Sequence, residues 1–134
     1  MKRGKMTIEQ PEGTQTIIVH FDLDENGEIW MAAWEISEAF GVFLSAVTSN
    51  IRVLFKNEEF YPREVSREHH YSHRDKDCIT TYYNLDMIIA LAFRIKGFRA
   101  REFRKWIRNY IAKPIRKTEV LLIDTRLLTI KNLN

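Results

Sequence analysis

From Ala32 to Phe40 the chain reads AAWEISEAF, and Ala33, Ile36, Ala39 and Phe40 recur at the spacing of one helical face. Gly41 follows, a residue free to take the left-handed backbone that ends a helix. Apolar positions resume at Val47, Ile51 and Leu54, which predicts a second helix from about Leu44 or Ser45 to Phe55. Further on, Leu85, Ile88, Ile89 and Ala92 stand at i, i+3, i+4 and i+7. Asn84 before them is a good N-cap, and Asp86 suits the positive end of the dipole. This helix is expected to reach about Ile95 and to break at Lys96-Gly97. A longer one is expected from about Arg99 to Ala112, with Phe103, Trp106, Ile107, Tyr110 and Ile111 as its core stripe and Pro114 as its stop.

Strand patterns are shorter. Thr16 to Phe21, TIIVHF, is a β-branched run, and Asn26-Gly27 is a strong hairpin turn signal before Glu28 to Met31. The expectation is a hairpin over 16–31, with residues 1–15 as a frayed extension. Cys78 to Tyr83, CITTYY, reads as a strand. Between Lys56 and Asp77 no period is sustained, so a polar loop is expected, with a short strand at 59–61. Val120 to Ile130, VLLIDTRLLTI, is too apolar for a solvated end and is expected to pack, most economically in a homodimer.

The first helix pair fits a helix-turn-helix. That motif needs a small residue inside the first helix, a tolerant residue at the turn and apolar anchors that hold the helices crossed. With Gly41 as the turn, Ser37 is the small residue, and Ile36, Phe40, Val42, Val47 and Ile51 are the anchors. The groove-facing positions are then Phe43, Leu44, Thr48, Ser49 and Arg52. Arg52 can take a guanine edge or a phosphate, and the two hydroxyls can hydrogen-bond. Phe43 and Leu44 cannot. They suit thymine methyl groups or, more readily, a second protein chain.

Charge sharpens this picture. The sequence has a formal net charge of +3. Residues 1–93 hold 9 Lys/Arg against 15 Asp/Glu, whereas residues 94–117 hold 10 Lys/Arg and one acid, Glu102. Such a basic segment on an acidic domain is a candidate polyanion surface. Arg101, Lys105 and Arg108 share a helical face, with Arg104 on its flank and Arg99 at its start, and all five are expected at phosphates. No apolar run is long enough to cross a bilayer, and the single Cys78 makes no internal disulfide, so a cytoplasmic protein is expected. His69, His70, His73, Asp75, Asp77 and Cys78 crowd one stretch, but no second ligand pair stands at a defined spacing, so no metal site is assigned. There is no phosphate loop and no nucleophile–base pair, and Glu35 and Glu38 have ordinary solvent-face spacing. No catalytic residue, no cofactor and no enzyme activity are expected.

Two stretches carry a family resemblance: Trp30-Met31 leading into EISEAFGV at 35–42, and YYNLDMIIALAFRIKGFRAREFRKW at 82–106. The second holds Tyr83, Asn84, Leu85, Asp86, Ile88, Ile89, Arg94, Arg99, Ala100, Phe103, Arg104 and Trp106, and in these the chain resembles the RhuM family of bacterial proteins over roughly residues 28–112. The resemblance implies a DNA-binding protein of virulence, mobile-element or restriction settings, akin to phage antirepressor-type domains, and it brings no catalytic residues. The chain departs from the family at Phe43-Leu44, where polar residues are usual, and in the diverged stretch 57–77. Family members are usually longer, so the chain is expected to be an N-terminal module.

The expected architecture is α+β: an N-terminal hairpin, a helix-turn-helix core of winged-helix-like form and two C-terminal amphipathic helices. The expected divisions are an extension at 1–15, the domain at 16–117 and the apolar tail at 118–134. The expected partner is double-stranded DNA, bound by a homodimer without membrane association. The alternative is a protein-interaction module built on Phe43, Leu44 and the tail.

Overall fold

A computed structural model describes residues 3–113. The tail 118–134, and with it the expected dimer contact, lies outside the described residues. Ten elements follow in order: β1 (Lys5–Glu9), β2 (Ile18–Asp22), β3 (Met31–Ala32), α1 (Ala33–Phe40), α2 (Leu44–Lys56), α3 (Pro62–Val65), β4 (Ser66–His73), β5 (Lys76–Tyr83), α4 (Leu85–Ala92) and α5 (Phe98–Ala112). They form two small antiparallel sheets, β1-β2 and β3-β5-β4, around helices, so the α+β class holds.

The N-terminal hairpin is not the expected one. β2 pairs with β1, which lies inside the segment read as an extension. In KMTIE only Met6 and Ile8 are apolar, but strand alternation turns both inward, and they are almost fully buried. The register sets Met6 opposite Phe21 and Ile8 opposite Val19, so the hairpin offers one apolar face to the helices. The Asn26-Gly27 turn does form. Asp24 O accepts from Gly27 N, and Asp24 Oδ1 accepts from the backbone N–H of Asn26 and Glu28. Beyond it the chain leaves β2. Trp30 N donates to Gly4 O, and Ile29, Trp30 and Met31 enter the core. Gly4 is required there, because a Cβ would stand 2.1 Å from Glu28 O.

The polar stretch after α2 is ordered as α3 and β4 rather than a loop, and residues 59–61 form no strand. β4 and β5 make a long hairpin with a two-residue turn at Arg74-Asp75, whose φ angles of 52° and 63° match a type I′ turn. Asn84 caps α4 as expected, its side chain accepting from Met87 N. α4 ends at Ala92, and Ile95 is buried in the turn beyond it.

One core joins these parts: Met6 and Ile8 from β1, Ile36 and Phe40 from α1, Val47, Ile51 and Leu54 from α2, Met87, Ile88 and Leu91 from α4, Ala100 and Phe103 from α5. Phe40 and Phe103 meet edge to face at 5.7 Å, and Phe21 reaches Trp106 at the same distance. The expected stripe of α5 is only partly inside. Phe103 is buried, Trp106 and Ile107 pack against the core, but Tyr110 and Ile111 are 72% and 74% exposed. The last turn of α5 runs past the end of the core.

Candidate nucleic-acid interface

The chain turns through 118° between α1 and α2, within the range of two helices joined by a tight glycine turn. Gly41 makes the corner with φ 65° and ψ 38°. Its N–H donates to Glu38 O and that of Val42 to Ser37 O, the paired bonds of a Schellman motif. Ser37 is buried and donates to Trp34 O, while Ile36, Phe40, Val47 and Ile51 are in the core. Val42, the remaining anchor, is only half-buried against the core.

The outer face of α2 carries the candidate contacts. Phe43 caps the helix through its backbone and is 85% exposed, with Leu44 exposed beside it. Ser49 and Arg52 are exposed and Thr48 half-buried. The Thr48 and Ser49 hydroxyls lean back to the carbonyls of Ser45 and Ala46, at 3.5 and 3.4 Å. These contacts are long, and the hydroxyls retain acceptor capacity. Arg52 has no acidic partner among the described residues. Sequence reasoning passed over Asn50, whose amide donates to Ala46 O at 2.8 Å and whose Oδ1 accepts from Arg94 Nε at 3.2 Å. That bond ties α2 to the end of α4. An Asn on the flank of a helix, 44 residues from its partner, leaves no local trace in a sequence.

The basic segment separates into two sets. Arg99 Nη1 donates to Glu38 O and Ala39 O, at the carbonyl end of α1 and beside Gly41. Arg104 Nη1 donates to Ala92 O at 2.7 Å and to Ile95 O at 3.2 Å, closing the end of α4. Both guanidinium groups stand where a helix dipole favours a cation. The structure gives each of these two a structural task through one nitrogen, and neither residue is buried. The outward set is Arg101, Lys105 and Arg108. Glu102 is met by Lys105 Nζ at 3.2 Å and by Arg101 Nε at 3.9 Å, and Arg108 has no acidic partner among the described residues. With Arg104, Phe93, Ile107 and Ile111 these cations line a shallow groove of about 680 Å³.

Glu35, read as an ordinary surface acid, is a structural centre instead. It takes Arg3 Nη1 at 2.6 Å and Nη2 at 3.2 Å, and its Oε1 accepts from Ala32 N. Burial pushes its carboxyl upward, but the Arg3 hydrogen bond, the Ala32 N–H and the charges of Arg3 and Lys5 outweigh that and hold it below the usual carboxylate range. The same hydrogen bond raises Arg3. Burial raises Tyr83. The histidine-rich stretch is the β4–β5 hairpin, whose alternation places His69 and His73 on one face and His70 on the other. Among the described residues no three His, Cys, Asp or Glu side chains gather as a metal site would require.

Residues 62–133 match the virulence protein RhuM family, more than half of the chain. The chain belongs to that family. The RhuM match begins at Pro62, so it contains the hairpin β4–β5, α4 and α5 and leaves the α1–α2 pair outside. The resemblance of residues 35–42 to RhuM proteins therefore has no counterpart in the match, whereas that of residues 82–106 does. No curated protein and no solved structure matches the chain. Among the described residues no single helix is long and apolar enough to cross a membrane.

Proposed function

We propose that this RhuM-family domain binds duplex DNA. The observation that carries the reading is the α1–α2 pair: two helices crossed about a left-handed glycine, with Ser49 and an acid-free Arg52 on the open face of the second. Strand β3 leads into this pair, and the β4–β5 hairpin follows it and pairs back onto β3, which supports the winged-helix-like form of the motif. In this reading Thr48, Ser49 and Arg52 lie near base edges. Arg101, Lys105 and Arg108 hold phosphates, which supply most of the affinity and little of the specificity. The function is binding, with no chemistry of its own.

Fluorescence anisotropy with labelled duplexes tests this across a salt series. The expected result is affinity that falls steeply with salt, by a log–log slope of about −0.9 per phosphate contact. Replacing Arg101, Lys105 and Arg108 together by Glu is expected to abolish binding in a folded protein. Wild-type binding by a folded triple variant refutes the role of α5.

A second reading, a protein-interaction module, is favoured by the exposure of Phe43 and Leu44 at the leading end of α2. The double change to Ser then shifts oligomeric state or partner binding and leaves duplex affinity intact. Under the DNA reading it lowers duplex affinity at constant oligomeric state. Light scattering beside the titration separates the two.

A further inference from the structure

The β4–β5 hairpin has two chemically different faces. Cross-strand partners share a face, so Arg67 with Tyr82, His69 with Thr80, Tyr71 with Cys78 and His73 with Lys76 form one of them. It contains no acid. The hairpin's acids are elsewhere: Glu68 and Asp77 on the opposite face, and Asp75 in the turn. Glu68 there meets His70 at 3.4 Å.

The acid-free face is held firm from its base. Arg67 lies 4.0 Å over the Trp30 ring and Arg3 lies 4.3 Å over Tyr82. His69 stacks on Tyr71 with centroids 5.8 Å apart, and Thr80 donates to the Tyr71 hydroxyl. Arg67 has no acidic partner among the described residues, and the two buried side-chain nitrogens that find no acceptor there, Trp30 Nε1 and Arg67 Nε, both sit at this base. At the far end, Arg74 stands in the left-handed region, where Gly or Asn would fit at lower cost. The face thus carries the cations Arg67 and Lys76 and imidazole donors with no carboxylate among them, and its outer part, from His69 to Lys76, is exposed. The complement of such a surface carries acceptors and negative charge.

We infer that this face of the hairpin, with His69, His73 and Lys76 as its outer donors, is a second DNA contact that grips the phosphate backbone of a duplex held by the α1–α2 pair. The inference rests on the duplex reading above. It assigns contact to one face of the hairpin only, and that makes it testable apart from net charge.

Two variants of equal charge change decide it, each measured with the full chain on labelled duplex across a salt series. One is His73→Glu with Lys76→Gln, on the acid-free face. The other is His70→Glu with Ser72→Glu, on the opposite face. All four positions are exposed, and circular dichroism checks that both variants fold. The first is expected to lose affinity on the order of tenfold and to flatten the salt slope by about 1 to 2, as lost phosphate contacts require. The second is expected to bind as wild type does. Equal losses in both would reduce the effect to net charge and overturn the inference. Wild-type affinity and slope in the first would overturn it while leaving duplex binding by the helices standing. A wild-type protein that binds no duplex at low salt overturns both readings.

Discussion

At the scale of single residues, Glu35 joins two tasks that a sequence shows only separately. It caps α1 by accepting from Ala32 N, and it anchors the N-terminal segment by a two-pronged bond to Arg3. Its side chain is only 10% exposed and that of Arg3 25%, so solvent screening is weak. Removing the carboxylate leaves the Arg3 guanidinium with Trp30 O in place of an anionic acceptor and takes the Glu35 acceptor from the Ala32 N–H. Glu35→Ala is expected to cost about 2–3 kcal/mol, read by chemical denaturation. The pH dependence follows from the direction of the shift. A carboxyl lowered in the folded state adds stability above its unfolded-state pKa, and that stability is lost as pH falls through the folded value. Acidification below about pH 5 should therefore destabilise wild type more than Glu35→Ala. Parallel loss in both proteins would show that the pair contributes nothing to acid sensitivity. Gly41 is the second such residue. Its left-handed backbone disfavours any Cβ, and Gly41→Ala is expected to cost about 1–2 kcal/mol with the α1–α2 angle disturbed.

At the scale of elements, α5 is two helices in one. Its inner side carries Ala100, Phe103, Arg99 and Arg104, and the last two close the carbonyl ends of α1 and α4. Its outer side carries Arg101, Lys105 and Arg108. Substitution should divide along that line. Arg104→Ala removes a 2.7 Å charge-assisted bond and is expected to lower stability by about 1.5–3 kcal/mol, with a visible fall in melting temperature. Lys105→Ala and Arg108→Ala are surface changes and are expected within about 0.5 kcal/mol of wild type. If Arg104→Ala melts with wild type while duplex binding drops, its task is the phosphate contact first expected of it.

At the scale of the molecule, β1 is part of the core although it precedes everything that signals a domain. Met6 and Ile8 are buried, Met6 faces Phe21 across the ladder, and Phe21 rests on Trp106 of α5. Removing residues 1–10 would bare the inner face of β2 and part of α1. The truncated chain is expected to lose a large share of its stability, because burying one Met or Ile side chain contributes roughly 1.5–3 kcal/mol. A truncated chain that unfolds at the wild-type midpoint would show β1 to be an appendage.

The helices were legible in the residues alone, because an amphipathic helix writes its buried face into neighbouring residues at i, i+3 and i+4. Hence α1, the Gly41 corner, α2, the Asn84 cap, and the aromatic core of α5 were legible, as was family membership from the dense motif of residues 82–106. Strands record less. A two-residue alternation of five residues, as in KMTIE, is too short to distinguish from a polar end, and the β1–β2 pairing joins segments that nothing local connects. Of the hairpin at 66–83 only the run Cys78 to Tyr83 was legible as a strand, and its partner was hidden for the same reason. That partner, β4, is polar on both faces, since neither is covered, and the turn uses Arg-Asp where glycine or asparagine would have announced it. Which arginines close a helix end is visible only in the fold. Arg99 and Arg104 are alike in sequence to Arg101 and Arg108, and what separates them is the helix end each meets on another element. A charge pattern fixes how much charge a helix carries. The position of the carbonyl ends around it fixes which of those charges remain free for a partner.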